Sequence, residues 1–467
     1  MYKLKQVSME VKVAALAILF LLSFLTTNPL LTVASIAVVP FFLLLIRKNE
    51  LPVLFVAMVY QWIAITIKVF FANFKGFDFL YYHEFPVHIF EALFLSLIGI
   101  VTIILGIWLV NRTNKYITDE RLSELIGNIN INKLLLIYGL YSLIVTLIGN
   151  TFLTFGGLAQ ITYVLLQFKW SFYLLLFIVV FNSNDKRYIL FLWLLIIGEV
   201  VLGFASYFSS FKDVLIFTFI GILATLKRFS FKKTAILLLF ASMVFRLGVI
   251  WTAIKPEFRM YIAGGERQQI VTVSKSEAID KWIELATNLQ QEVIDRAEFF
   301  LIDRLSYIDY FSGAIGYVPE VVPHENGKVW NDAVMHVLMP RLFFPEKEAI
   351  DDSKHLTKYT GVYFATAEQG ASFSLGYMAD SYVDFGKTFM FVPLFLLGLL
   401  IGFIYKYFIN NGYNELWGIV LVVPLFYFAG FYEMSSIKLF GRLITYFLVF
   451  FVINKFVLPR VNKLIIK

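Results

Sequence analysis

Residues 87–110 run VHIFEALFLSLIGIVTIILGIWLV, with Glu91 the one acidic or basic side chain among them, histidine counted as neutral. About 20 mostly apolar residues in a helix cross the roughly 30 Å hydrocarbon layer of a bilayer. This stretch is long enough to do so, and its like recurs along the chain. Of 467 residues, 59% are hydrophobic and only 16% charged, too few charges to cover a water-soluble protein of this length. Read by the same rule, twelve runs stand out, near 12–27, 29–46, 51–72, 87–110, 133–149, 160–181, 187–207, 210–226, 234–254, 388–409, 414–432 and 438–457. The sequence therefore predicts an all-α polytopic membrane protein of about 12 transmembrane helices. The first run is followed at once by the second with no small-residue cleavage site, so it reads as a span and not as a removable signal.

Charge sets the expected orientation. Arg47 and Lys48, the segment from Arg112 to Lys133, Lys186 and Arg187, the segment from Lys227 to Lys233, and Lys406 fall in alternate loops. Lys3, Lys5 and a tail with Lys455, Arg460, Lys463 and Lys467 join that set. The positive-inside rule then predicts a multi-pass protein of a bacterial cytoplasmic membrane with both termini cytoplasmic. Rich use of Phe, Ile, Lys, Asn and Tyr fits an AT-rich bacterial gene. The formal charge of +7 reads as topology and attraction to lipid headgroups, not as nucleic-acid binding. The absence of cysteine excludes thiol catalysis, cysteine-ligated zinc and disulfides.

On this reading residues 1–255 hold spans one to nine. Residues 256–387 form an extracytoplasmic loop domain, and 388–467 hold spans ten to twelve and a cytoplasmic tail. Within the loop, Ile279, Trp282, Ile283, Ala286, Leu289, Val293, Ala297, Phe300 and Leu301 recur at three- and four-residue steps, which predicts one amphipathic helix from Ser276 to about Tyr310. It either packs on the loop domain or lies on the outer leaflet, where it would guide a lipid.

Three groups of residues are able to carry chemistry. The first is the set of charges inside apolar runs, Lys169, Glu199, Lys212 and Arg246, which at such depth line a polar cavity or pair with one another. Adjacent antiparallel spans would gather Glu199, Lys212 and Arg246; the plainer readings are a snorkelling Lys212, an Arg246–Glu199 pair, and a Lys169 at the surface. The second is His336 to Lys347, where Pro340 and Pro345 bracket Arg341 in a rigid extended or turn segment. Arg341 suits bidentate binding of phosphate oxygens and Lys347 adds a point charge. His336 is able to move a proton near neutral pH, with His324 and His355 as neighbours of the same kind. The third runs from Tyr359 to Asp384, with Glu368, Ser372, Ser374, Tyr377, Asp380, Tyr382 and Asp384. Rings that stack on sugar faces, interleaved with carboxylates that bind hydroxyls, point to a glycan at Tyr377, Asp380 and Tyr382, although tyrosine also collects at membrane interfaces. Glu368 is the carboxylate of this group best suited to act as a base. Arg259, Arg267, Arg296 and Arg304, with Glu433, Lys438 and Arg442, either help bind a diphosphate or form ordinary ion pairs. No Gly-rich phosphate loop and no His-Glu-x-x-His pattern is present, and no acidic pair at close spacing demands a divalent metal, so neither metal nor other cofactor is expected.

The many spans, the large outer loop late in the chain, and Met339-Pro-Arg-Leu-Phe-Phe-Pro-Glu-Lys347 together resemble the Wzy-type O-antigen and exopolysaccharide repeat-unit polymerases. Ser209-Ser-Phe-Lys212 resembles the turn of small residues plus a cation that those proteins place at an outer span end, with lysine where arginine is commoner. The resemblance implies a fold like that of the C-type glycosyltransferases. It also implies a metal-independent glycosyltransferase that moves a growing glycan from undecaprenyl diphosphate to the sugar of an incoming lipid-linked repeat unit. A flippase and a chain-length regulator of the same pathway would be its partners, beside membrane lipid. Lys212, Arg246, Arg259, Arg341 and Lys347 would hold the diphosphate, whose negative charge grows as the glycosyl bond breaks. His336 or Glu368 would take the acceptor's proton, with Arg341 at the reacting centre. Two rivals are a ligase using the same donor and a flippase for the lipid-linked unit, the latter favouring pseudo-symmetric halves that this chain lacks.

Overall fold

A computed structural model describes residues 17–114, 117–153, 159–204, 211–225, 231–265, 272–339, 344, 350–369 and 372–467. In chain order, the longer helices and those that build the sites below are α1 (Val53–Lys75), α2 (Ile89–Asn111), α3 (Ile131–Leu153), α4 (Ala159–Ser183), α5 (Lys186–Phe204), α6 (Phe211–Thr225), α7 (Phe231–Ile262) and α8 (Lys275–Thr287). They continue as α9 (Gln291–Leu305), α10 (Ile308–Tyr317), α11 (Lys328–Leu338), α12 (Asp352–Thr360), α13 (Tyr377–Phe389), α14 (Phe391–Asn411), α15 (Ser436–Val452) and α16 (Leu458–Ile465). The protein is all-α and a multi-span membrane protein.

The number of spans departs from expectation. Among the described residues six helices are long and apolar enough to cross a bilayer: α1, α2, α4, Leu239–Ile262 of α7, α14, and Ser436–Ile465, in which a π-turn joins α15 to α16. These correspond to the runs at 51–72, 87–110, 160–181, 234–254, 388–409 and 438–457. The other six expected spans are not among these candidates. The run at 29–46 breaks into Pro29–Ala37, Val39–Phe42 and Leu43–Leu45. The run at 414–432 is divided at Pro424 into helices of seven and five residues, because proline supplies no N–H and clashes with the preceding turn. The run at 210–226 gives α6, described over Phe211–Thr225. The run at 187–207 gives α5, described over Lys186–Phe204. The run at 133–149 gives α3, of which Ile131–Val145 counts among the shorter apolar helices of the described residues. The run at 12–27 lies partly outside the described residues. The expected architecture of about 12 spans, like that of the C-type glycosyltransferases, is therefore corrected to an all-α protein with six candidate spans. Sidedness is affected as well, since each shorter apolar helix that also crosses the bilayer reverses the side of everything after it.

The described chain forms two compact units, one within residues 177–305, the other within 17–176 and 306–467. In the first, Phe211 and Leu215 of α6 pack with Trp251, Ile254, Phe258 and Ile262 of α7 and Ala278 of α8. Trp251 meets Phe211 and Phe258 edge-on at 6.1 and 5.6 Å. A capping box between Ser274 and Glu277 starts α8 by satisfying free N–H groups at its first turn. The amphipathic stretch expected as one helix is three, because α8 ends at Asn288 and residues 306–307 part α9 from α10.

In the second unit α2 and α14 lie backbone against backbone. Gly398 and Gly402, four residues apart on α14, face Ile103 and Ile107 of α2, and Gly106 of α2 faces the backbone of Phe395 and Leu399. Small residues at such spacing let helices approach where dispersion, not water exclusion, drives association. Around this pair α1 is tied in by buried polar groups. Gln61 donates to the Ala429 carbonyl at 2.6 Å and accepts from the Tyr377 hydroxyl. Ser96 of α2 bonds the Tyr432 hydroxyl at 2.7 Å. Gly76, at φ +76°, ends α1 in the left-handed conformation glycine adopts without strain.

Candidate functional site

The first unit gathers cations. Lys212 stands in the first turn of α6, Lys255 and Arg259 lie one turn apart on α7, and Arg304 is in the last turn of α9. Packing sets this arrangement: Phe211 is locked against Trp251, one turn before Lys255, and Leu301 of α9 fits over Gly248 of α7. Lys212 is repelled by Arg304 and Arg259, and Lys255 by Arg304, Arg259 and Lys212. Asp213 offsets part of the charge felt by Lys212, whereas among the described residues no carboxylate does so for Lys255. A group of like charges held together by helix packing is a site for an anion. Arg246 is exposed and lies nine residues before Lys255, about 14 Å along the helix axis, so the structure does not set it in this group. Glu199 is partly exposed on α5, and Arg296 of α9 pairs with Glu292 at 2.7 Å.

The second unit holds the best-formed polar cluster, built on the first turn of α15. Asp380 of α13 is fully buried, and its Oδ2 accepts from the backbone N–H and the hydroxyl of Ser436, both at 2.8 Å. Its Oδ1 lies 2.8 Å from Nε2 of His355 on α12. Asp352 accepts from the Ser435 hydroxyl at 3.0 Å and pairs with Lys438 at 2.6 Å. Two buried carboxylates thus sit at the positive end of α15, where its free N–H groups and dipole favour negative charge. Gly376, at φ +90°, turns the chain into α13 so closely under the Tyr432 carbonyl that an added Cβ would lie 3.0 Å from it. Burial pushes the His355 imidazole down, but its pairing with Asp380 and the field of Asp352 outweigh this and hold it above the ordinary histidine range. The edge of the His355 ring meets Tyr359 at 4.8 Å, and the Tyr359 hydroxyl donates to Glu325 at 2.8 Å. With Nε2 fixed on Asp380 and 28% of the side chain exposed, the other ring nitrogen is able to exchange a proton with a bound molecule.

The remaining expected residues are distributed as follows. Tyr377, Asp380 and Tyr382 are buried, and their polar atoms bind protein groups: Tyr377 on Gln61, Asp380 as above, and Tyr382 on the Val318 carbonyl at 2.7 Å. Asp384 accepts from the N–H groups of Val329 and Trp330 at 3.0 and 2.8 Å, capping α11. Glu368 is 83% exposed and 3.7 Å from Lys354. His336, partly buried, lies in the last turn of α11, a helix that packs along α15 with Val337 over Gly441. Arg442, beside that glycine, lies over the Tyr163 ring at 5.0 Å. Arg341 and Lys347, with Pro340, Pro345, Ser209 and Arg267, lie outside the described residues.

Some buried charges escape a reading of the sequence. Asp309 of α10 pairs with Lys68 of α1 and with His83, each at 2.9 Å. Lys68 lies well inside the 51–72 run, and an ionisable residue at such depth is itself the signal. Ser435 and Ser436, just before an apolar run, carry the mark of a helix start. Among the described residues no three His, Asp or Glu side chains come together as a metal would require.

No curated protein and no solved structure matches the chain. A sequence model of DUF8712, a domain of unknown function, matches residues 51–458, and the chain belongs to that family.

Proposed function

We propose that the protein is a membrane glycosyltransferase that polymerises lipid-linked oligosaccharide repeat units at the outer face of a bacterial cytoplasmic membrane, with both its termini on the cytoplasmic side. The observation that carries this reading is the group of Lys212, Lys255, Arg259 and Arg304, in which like charges repel one another around an unbalanced Lys255. A lipid diphosphate brings negative charge to such a group, and Lys255 and Arg259 belong to a candidate span, where a lipid's headgroup is within reach. In the reaction the bond between the sugar's anomeric carbon and the diphosphate oxygen breaks, and the electron pair leaves with undecaprenyl diphosphate. The acceptor hydroxyl oxygen forms the new bond to that carbon and gives its proton to a base. Fixed cations stabilise the departing diphosphate most where water is excluded. Arg341 and Lys347 keep their proposed parts in holding it, and Tyr377, Asp380 and Tyr382, whose polar atoms are engaged within the protein, a supporting part behind a glycan site. His336 and Glu368 remain proposed bases, and His355, steadied by Asp380, joins them.

The purified protein in liposomes, supplied only with a lipid-linked repeat unit, should give a ladder of longer glycans. Lys255→Ala/Arg259→Ala at equal abundance should lower that product at least 100-fold. Products only when a separate acceptor is added would identify a ligase, and movement of the lipid across the bilayer without bond formation a flippase.

A further inference from the structure

An apolar groove of about 320 Å³ opens in the second unit, lined by Ile137 and Tyr141 of α3, Phe168 and Phe172 of α4, and Val457 and Val461 where α15 passes into α16. Its size falls at the lower end of the roughly 300–1,000 Å³ usual for small-molecule sites. The π-turn at Ile453–Val457 presents Val457 to the groove, and Leu458 and Ile465 anchor α16 in the core. Close in the chain to its lining residues are four cations, Lys133 one turn before Ile137 and Lys455, Arg460 and Lys463 around Val457 and Val461, and the first three have neutral partners. Lys133 donates to the Ile466 carbonyl at 2.8 Å and Arg460 to the Phe456 carbonyl at 3.2 Å. Lys455 lies over the Phe451 and Phe456 rings at 6.0 and 5.6 Å. Lys463 is exposed in the last turn of α16. None of the four pairs with a carboxylate among the described residues, in contrast to Lys438 on Asp352 or Lys68 on Asp309.

We propose that this groove is a binding site for an anionic phospholipid, one acyl chain lying against Tyr141, Phe168 and Val461 and the phosphate held by Arg460, Lys463 and Lys133. Any lipid tail fills an apolar groove in a membrane protein; the uncompensated rim is what selects a negative headgroup. Each basic side chain near an anionic headgroup strengthens binding several-fold at moderate salt, and the excess charge of the rim meets no carboxylate among the described residues. The site is independent of the diphosphate group on the other unit and does not rest on the proposed reaction.

The test uses the full chain, delipidated in detergent and titrated with phosphatidylglycerol or phosphatidylcholine of identical acyl chains, with bound lipid counted by native mass spectrometry. Phosphatidylglycerol should bind at least 10-fold more tightly, and Arg460→Gln/Lys463→Gln should weaken it about 30-fold while leaving phosphatidylcholine nearly unchanged. Val461→Trp, which fills the groove, should weaken both lipids. Equal affinity for the two lipids, or a charge-pair variant that still prefers phosphatidylglycerol as strongly as the parent, overturns the proposal. Should Val461→Trp fail to fold, the charge pair, exposed on α16, decides the matter alone.

Discussion

Nζ of Lys68 lies 2.9 Å from Oδ2 of Asp309, with 6% and 8% of the two side chains exposed. The pair ties a candidate span, α1, to α10, and His83 shares the carboxylate from its other oxygen. Burial alone would raise the Asp309 carboxyl, but His83 and Lys68 override it and hold the group below the ordinary carboxylate range. Stability from this group is present above that range and is lost as pH falls through the lowered value. Removing one partner of a buried pair strands the other, at about 3–5 kcal/mol. Asp309→Ala should therefore lower the thermal midpoint sharply, measured in detergent by intrinsic fluorescence. Lys68→Met/Asp309→Leu should recover most of the loss, and a double variant no better than Asp309→Ala would show that the charges do not act as a pair.

The His355–Asp380 pair has the opposite pH sign. His355 is held above the ordinary histidine range, so its contribution is full below about pH 6.5 and is lost as pH rises through the raised value. Asp380→Asn removes that charge while keeping a group able to meet Ser436. Thermal midpoints from pH 5 to 9 should fall less steeply on the alkaline side in this variant, and the His355 proton resonance should titrate at lower pH. An unchanged titration would mean that Asp380 is not what raises the imidazole above its ordinary range.

Much of the architecture was legible because hydropathy registers length and composition. The runs at 87–110 and 388–409 are continuous, apolar and uninterrupted, and they became α2 and α14. The same signal overcounts, since it does not weigh what breaks a helix: Pro424 divides a run whose composition alone looks like a span. Local pattern was readable where it acts locally, as in the apolar repeat from Ile279 to Leu301, whose residues apart from Leu289 do lie on helices. The clusters were not, because they join residues remote in sequence. Asp352 and Lys438, or Lys68 and Asp309, carry no mark of one another. Nor does a carboxylate among aromatics announce whether it meets a sugar or, like Asp384, caps a neighbouring helix.

The cation group makes a prediction that separates stability from function. With no anion bound, Lys255 is repelled by Arg304, Arg259 and Lys212. Lys255→Gln relieves that repulsion and should raise the thermal midpoint of the lipid-free protein by about 1 °C or more. It should at the same time weaken binding of a lipid diphosphate about 10-fold, the trade expected where a site is strained for its ligand. Added lipid diphosphate should stabilise the parent protein more than the variant. A variant both less stable and equally good at binding would assign Lys255 to the scaffold.

Sidedness admits a direct reading, since the chain has no cysteine to remove first. Tyr363 is 68% exposed, in the segment between α7 and α14. Tyr363→Cys should react with a membrane-impermeant maleimide in intact cells if that segment is extracytoplasmic. Reaction only after the membrane is opened would set it on the cytosolic side and remove the ground for a polymerase acting on the outer leaflet.

The contact between α2 and α14 is the place where one methyl group should matter most. A Cβ on Gly398 would strike the Ile103 carbonyl and come within 3.0 Å of its Cα, and one on Gly402 would meet the Ile107 carbonyl at 3.0 Å. Backbone atoms of a helix cannot swing aside as a side-chain tip does, so the helices must separate along their length and lose dispersion contacts at every turn. Overpacking of this kind costs about 1–3 kcal/mol for small additions. Gly398→Ala should lower the thermal midpoint by several degrees and Gly398→Val should prevent accumulation of folded protein. Gly139, around which no atom lies within 4 Å of an added Cβ, is the control, and Gly139→Ala should be neutral or slightly stabilising. Equal stability of the Gly398 and Gly139 variants would show that the two helices do not approach as closely as their glycines allow.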